Sequence, residues 1–287
     1  VSAPTEVAIP EGKAVSEARF AFGKNWQRFL RVLNEDRIAE AEKSLRSMLE
    51  VDDLQGKSFI DIGSGSGLFS LAAMRLGASR VHSFDYDPNS VACAQELKRR
   101  YFHDAGNWTI EQGSVLDPAY MVRLGQFDVV YSWGVLHHTG SMWQALENVV
   151  MPVAPRSKLF IALYNDQGTY SRLWRAVKRR YSSNFAWRGP ITVAFAVYFA
   201  GRGLVVDLLL FRNPLNRYRQ YKKSRGMSYF TDLLDWLGGY PFEVAKPEEV
   251  FDFFRKRGLD LVKLKTAGGG LGNNEFVFDR SAESVPK

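Results

Sequence analysis

Between Lys57 and Phe160, short apolar runs of strand length alternate with helix-patterned stretches, and only a few residues connect one to the next. That rhythm constrains the fold most, because strands joined through helices pair in parallel and need helical cover on both faces. SFID opens the series, LFSLAAMRLGA follows as a helix, and SRVHSFD, WTIEQ, FDVVYS and KLFIALY are the next four strands. Helical patterns starting near Pro88, in DPAYMVRLG and in SMWQALENVVM lie between them. The rhythm then breaks and resumes near Pro247 with KPEEVFDFFRKRG, followed by LDLVKLKTA and NNEFVFD around a glycine-rich turn at Gly268 to Gly272.

The expected architecture is therefore α/β: a Rossmann-like doubly wound seven-stranded sheet with an antiparallel last strand, plus a helical insertion and N-terminal helices. The expected divisions are an N-terminal arm and helical lid over 1–50, an α/β core over 51–168, a mainly helical insertion over 169–245, and a last helix with a β-hairpin over 246–287. Residues 19–50 read as two amphipathic helical stretches ahead of the first strand.

Charge singles out the insertion. The chain carries a net charge of +7, yet Thr169 to Arg225 holds 13 Lys or Arg against one acid, Asp207, leaving 25 basic and 30 acidic residues elsewhere. An anionic partner should be sought there. The same segment holds ITVAFAVYFAGRGLVVDLLLF, Ile191 to Phe211, interrupted by Arg202, Asp207 and two glycines. It reads first as a buried cap or subunit-interface helix, second as a surface dipping into a membrane with arginines at headgroup level, and last as a bilayer span. The opening VSAPTEVAIPEGKAVSEA lacks an apolar core of secretory length and reads as a loose arm. The one cysteine, Cys93, falls in the helical pattern SVACAQELKRR and reads as a buried thiol in a reducing cytoplasmic compartment.

DIGSGSG, Asp61 to Gly67, ends the first strand. Alternating glycines there bring backbone close to a ligand, and a nicotinamide cofactor, a nucleotide phosphate and S-adenosylmethionine all use such turns. The spacing is not the G-x-G-x-x-G of a dinucleotide site, and no Lys-Ser or Lys-Thr follows, which excludes a P-loop.

With its companions the turn resembles that of the class I S-adenosylmethionine-dependent methyltransferases, whose first strand ends in acid-x-G-x-G-x-G. The resemblance implies that Asp61, Gly63, Ser64, Gly65 and Gly67 face the methionine end of S-adenosylmethionine. It further implies that Asp85, in HSFDYDP, holds the ribose and that Tyr86 packs on the adenine. In QGSVLD, Ser114, Val115 and Asp117 border the adenine edge; the family often has an acid where Ser114 stands, so the adenine amine falls to Ser114, Asp117 or backbone. YSWGVLHHTG resembles the family's post-strand segment and adds Ser132 and Trp133 to the cofactor contacts. Trp26, with Phe22, fits an N-terminal lid or plain packing. Within the family, the nearest likeness is to ubiquinone-biosynthesis-type small-molecule methyltransferases, through the shared core only.

Methyl transfer needs alignment, exclusion of water and a proton acceptor near the methyl group. His138, at the family's L-x-H position, is read either as that base or as a structural hydrogen-bonding group, with His137 second as a substrate contact. Asp166, beside Asn165 in LYNDQG, orients substrate or caps the next helix. Tyr240 and Glu243, in DWLGGYPFEVAKP, are candidates for a substrate hydroxyl. His82 and His103 read as structural. No His or Cys cluster has ligand spacing, so no metal is expected.

The leading reading is a cytoplasmic S-adenosylmethionine-dependent methyltransferase, yielding S-adenosylhomocysteine, that acts on a small-molecule or lipid-like acceptor, with O-methylation favoured. Residues 169–225 are the candidate contact to an anionic membrane surface, and a homodimer is a further expectation. An RNA methyltransferase using the basic insertion ranks second, because nucleic acid does not account for the apolar stretch. A non-catalytic cofactor-binding scaffold ranks third.

Overall fold

The computed structural model describes Trp26 and residues 29–210, 236–268 and 272–281. The expectations for the N-terminal arm, Phe22, the first helical stretch apart from Trp26, the basic residues from Arg212 to Arg225 and the centre of the last glycine turn lie outside the described residues.

Helix α1 (Glu35–Leu49) is capped by Asn34, whose side chain accepts from the Arg37 N–H, and two acids in its first turn complement the helix dipole. Strand β1 (Ser58–Ile62) then leads through the glycine turn into α2 (Leu68–Arg75). Next come β2 (Arg80–Asp85), α3 (Pro88–Tyr101), β3 (Trp108–Gln112), α4 (Pro118–Arg123) and β4 (Phe127–Trp133). A 3₁₀ turn at Leu136–His138 and α5 (Met142–Asn148) precede β5 (Val153–Tyr164), which begins five residues earlier than the apolar run KLFIALY indicates. Both α3 and α4 start with an aspartate cap and a proline, as a helix entry requires.

The insertion forms α6 (Thr169–Ser183) and α7 (Phe185–Leu209), and the core resumes with α8 (Pro247–Arg255), β6 (Leu259–Lys265) and β7 (Asn273–Arg280). The seven strands are ordered β3-β2-β1-β4-β5-β7-β6. β1 to β5 are parallel, and β7 slots antiparallel between β5 and β6. The order reverses between β1 and β4, so both chain connections leave a crevice over the carboxyl ends of those strands, where ligands of open α/β sheets bind.

Two apolar layers flank the sheet. One is built on Ile60, Phe84, Val130, Ile161 and Phe278, the other on α1 and α2 against Phe59, Tyr131 and Phe160. Alternate residues of one strand feed opposite layers, as the pleat dictates. Cys93 is buried in the second layer, and burial pushes its thiol up to about 11. A third, smaller cluster joins Trp174 and Tyr181 of α6 to Leu237 and Phe242, with Phe195 and Phe199 of α7 against it.

Within the described part of 191–211 the rest of the chain does not bury the helix, which sets the cap half of that reading aside and leaves a subunit interface or a membrane surface. Along α7 only Gly203 and Asp207 are buried, and Val193, Val197, Tyr198, Leu204, Val205, Leu208 and Leu209 are exposed. Composition alone could not distinguish a helix covered by protein from one left bare, because both are apolar.

Candidate active site

The glycine turn closes over the crevice. Gly63 and Gly67 have φ of 75° and 81°, a left-handed conformation that side chains rarely tolerate. A Cβ at Gly63 would stand 2.4 Å from Val135 of the post-β4 segment, so the two turns touch only because this residue has none. A Cβ at Gly65 would stand 2.9 Å from the Trp26 indole, which places Trp26 against the turn.

Asp61 is buried beneath this turn. Its Oδ2 accepts from Ser70 Oγ at 2.5 Å; Ser70 Oγ accepts from Ser83 Oγ at 2.7 Å, and Ser83 Oγ from Trp108 Nε1 at 2.8 Å. This line of donors runs from β3 through β2 and α2 to the acid and fixes its orientation. Burial raises the Asp61 pKa to about 7, against the Ser70 bond, and neighbouring Asp85 adds to the rise. Asp85 Oδ2 accepts from the Gly65 N–H at 2.9 Å and Oδ1 from the Asp87 N–H at 2.9 Å; burial lifts this group to about 6 despite both bonds. Two carboxylates held above their usual range at one strand edge suit a ligand carrying positive charge and hydroxyls.

Tyr86 is exposed beside Asp85. Ser114 Oγ accepts from the Leu116 N–H at 3.2 Å. Asp117 instead caps α4, its Oδ1 accepting from the Ala119 and Tyr120 N–H groups at 3.0 and 3.1 Å. Val115 is buried in the core, and its carbonyl accepts from Asn148. Ser132 Oγ donates to the Ile62 carbonyl at 2.9 Å and ties β4 to β1, whereas Trp133 at the strand end is exposed. Around the crevice Ser64 Oγ, Tyr131 Oη and Asn273 Oδ1 are buried with no hydrogen-bond partner, a costly state that a polar ligand would relieve.

The post-β4 turn, the end of β5 and Phe242 bring together an aromatic group. The rings of His137 and Tyr164 are 3.9 Å apart, those of His138 and Tyr164 5.4 Å, and those of Tyr164 and Phe242 5.0 Å. His137 Nδ1 accepts from the Tyr164 N–H at 3.3 Å, its carbonyl accepts from the Glu243 N–H, and burial drives its pKa well below the ordinary value. It is a structural link between the post-β4 turn and β5. His138 Nδ1 lies 2.7 Å from the Pro241 carbonyl, which fixes the proton on Nδ1 and the lone pair on Nε2. Burial lowers its pKa to about 4, outweighing that bond.

Glu243 and Asp166 each accept from a nearby backbone N–H. Both Glu243 oxygens accept from the Met142 N–H, at 3.2 and 3.1 Å, at the start of α5. Asp166 Oδ1 accepts from the Gly168 N–H at 2.8 Å in the turn before α6, and Asn165 Oδ1 accepts from Asn274. Tyr240 precedes the Pro241 carbonyl that holds His138. His82 faces Glu111, and His103 faces Asp104 at the surface. Among the described residues no group of three or more His, Cys, Asp or Glu could hold a metal ion.

Lys178 escapes a sequence reading. It appears there as one of 13 basic residues, yet it is fully buried on the inner face of α6. Its ammonium donates to the Trp236 carbonyl and lies 4.6 Å from the Trp236 ring and 4.9 Å from the Phe242 ring. Burial lowers its pKa to about 7. Its helical spacing from Trp174 and Tyr181, three or four residues away on either side, was the available signal.

A doubly wound sheet with an antiparallel β7 and an acid-bearing glycine turn at β1 is the arrangement of the Rossmann-like class I methyltransferase fold. Residues 60–159 match the family model described as a methyltransferase domain, and the chain carries that domain. The chain is 31% identical to the ribosomal protein L11 methyltransferase of Anoxybacillus flavithermus over 113 residues, covering 34% of this chain and 36% of that one. It is 24% identical to the tRNA U34 carboxymethyltransferase of Methylococcus capsulatus over 184 residues, 64% of this chain and 55% of that one. The chain thus spans between about a third and a half of these two relatives. Among solved structures it resembles the magnesium protoporphyrin IX methyltransferase of Synechocystis PCC 6803 with bound SAM, at a TM-score of 0.54 and 11% identity, covering 96% of this chain and 100% of that one. That identity speaks for the fold alone.

Proposed function

We propose that this protein transfers a methyl group from S-adenosylmethionine to a small or amphipathic acceptor, with oxygen as the favoured nucleophile. The observation that carries the reading is the convergence of Asp61, Asp85 and the unsatisfied Ser64 hydroxyl on one glycine turn. Asp61 would hold the ammonium of the cofactor and Asp85 its ribose hydroxyls, with Tyr86 and Trp26 against its faces and Ser114 or backbone at the adenine edge. The bound sulfonium supplies an electrophilic methyl carbon.

The protein's own part is to align and dry the acceptor. The Tyr164 and Phe242 rings form an aromatic wall next to His138, where exclusion of water strengthens every polar contact. His138, its Nδ1 held on the Pro241 carbonyl, would take the acceptor's proton at Nε2. A group with a pKa near 4 is neutral at physiological pH and takes the proton only when bond formation has made that proton acidic. Residues 51–168 serve as the cofactor half and 169–245 as the acceptor half. The single buried thiol fits a reducing cytoplasmic compartment.

A second reading, methylation of RNA, draws on the arginines exposed along α6 and on the tRNA-directed relative. Salt separates the two: binding along a phosphate backbone falls steeply as salt rises, whereas a small apolar acceptor is indifferent to it. The test is transfer of labelled methyl from S-adenosylmethionine to fractions of a cell extract. Label is expected in the organic-soluble fraction. Label confined to RNA would establish the second reading, and no label with any fraction would leave a cofactor-binding scaffold.

A further inference from the structure

Helix α7 presents apolar residues on both its inner and its outer face. One stripe packs inward: Phe195 lies 4.8 Å from Trp174 and Phe199 6.4 Å from Trp236, ring centre to ring centre, and Gly203 and Asp207 are buried further along. The opposite stripe faces outward, with Val193, Val197 and Leu208 exposed by 62%, 67% and 60%. From Val193 to Leu210 the sole exposed charge is Arg202. A helix with apolar residues on both faces is expected to be covered on both.

Charge identifies the cover. No acid occurs from Thr169 to Val206, and α6 exposes Arg172, Arg175, Arg179 and Arg180 while burying Trp174, Lys178 and Tyr181. At the corner between the helices, Phe185 is exposed, and the Arg180 guanidinium lies 4.5 Å over the partly exposed Trp187 ring. Arg188 Nε donates to the Tyr181 carbonyl at 3.3 Å beside them. Aromatic rings and arginines next to an uncharged face are what a phospholipid interface takes: apolar groups enter below the headgroups and arginines stay at their level. Anionic headgroups attract such a basic flank, and a second apolar protein surface does not need one.

We propose that the outer face of α7 and the arginines of α6 dock on an anionic phospholipid bilayer, the helix lying in the interface. By length and composition α7 is also sufficient to cross a membrane. Its inner stripe is held against α6 and the Trp236 segment, and Asp207 sits on that stripe, so lying fits where spanning does not. Such docking deepens the proposed function by presenting acceptors from the lipid phase. It rests on that reading only for this consequence, because its test is independent of turnover.

The test is co-sedimentation of the full chain with phosphatidylcholine vesicles, with and without phosphatidylglycerol. Wild type should pellet with the anionic vesicles and stay in solution with the neutral ones. Val197→Glu/Leu208→Glu should lose binding by about tenfold or more, and Arg179→Glu/Arg180→Glu by about tenfold on the anionic vesicles. Both variants alter exposed side chains, and retention of the thermal shift given by S-adenosylhomocysteine checks their fold. Wild type left in solution with both vesicles overturns the proposal, as does binding unchanged in both variants. A wild-type dimer that Val197→Glu/Leu208→Glu converts to monomer, without vesicle binding, would assign the face to a second copy. Retention of RNA without vesicle binding would assign the arginines to nucleic acid.

Discussion

Ser70 Oγ donates to Asp61 Oδ2 at 2.5 Å in the interior of the protein, and Ser83 and Trp108 stand behind Ser70 in one line of donors. The acid at the end of the glycine turn is thus aimed by residues from three other elements. Ser70→Ala should weaken S-adenosylhomocysteine binding about tenfold at neutral pH. Because Ser70 lowers the Asp61 pKa, its loss leaves more of the acid protonated, so affinity should recover partly at alkaline pH. Calorimetric titrations at two pH values check this; a loss equal at both would assign Ser70 a packing role.

Cofactor affinity should rise with pH through about 7, as Asp61 ionises to meet an ammonium. Stability of the free protein has the opposite slope. Asp61 holds its proton in the fold up to about 7 but releases it near 3.8 when unfolded, so its contribution is present at low pH and lost as pH rises across that window. Asp61→Asn should therefore abolish cofactor binding and the affinity slope while raising the melting temperature above pH ~7, by on the order of 1–3 kcal/mol of stability. Thermal melts across the window are the check.

His138→Ala should lower turnover by about a hundredfold or more while changing S-adenosylhomocysteine affinity little. His137→Ala should instead destabilise the fold by about 2 kcal/mol, since it removes a fully buried ring that packs on Tyr164 and bonds its N–H. Equal kinetic losses without a stability difference would contradict this division.

Lys178 has a pKa lowered from 10.5 to about 7 by burial, so the fold favours its neutral form. Its stabilising share is present at high pH and lost as pH falls through that window. The melting temperature of Lys178→Met relative to wild type should therefore increase as pH drops from about 10 to about 7. Melts at a series of pH values decide it, and a difference independent of pH would mean that Lys178 is stabilised as a cation.

The core was legible because each strand carries its own apolar run and two of the core helices open on an aspartate cap, Asp87 and Asp117. Asp61 and Asp85 were legible as a pair because both sit at strand ends that the topology brings together. Roles set by tertiary contact were not. Glu243 reads as a substrate group beside aromatics, but it meets the α5 amide a hundred residues earlier in the chain. Ser70, Ser83 and Trp108 are ordinary residues in three separate elements until the sheet aligns them. Lys178 and α7 show the same limit from opposite sides: a charge goes inward and apolar residues go outward, each against its composition.

The central claim is that the turn from Asp61 to Gly67, together with Asp85, binds S-adenosylmethionine. Calorimetric titration of S-adenosylhomocysteine into wild type and Asp85→Ala tests it most directly. One site per chain is expected in wild type, weakened about 10- to 100-fold in the variant with its melting transition intact. No binding to the wild type, or equal affinity in the two proteins, would contradict it.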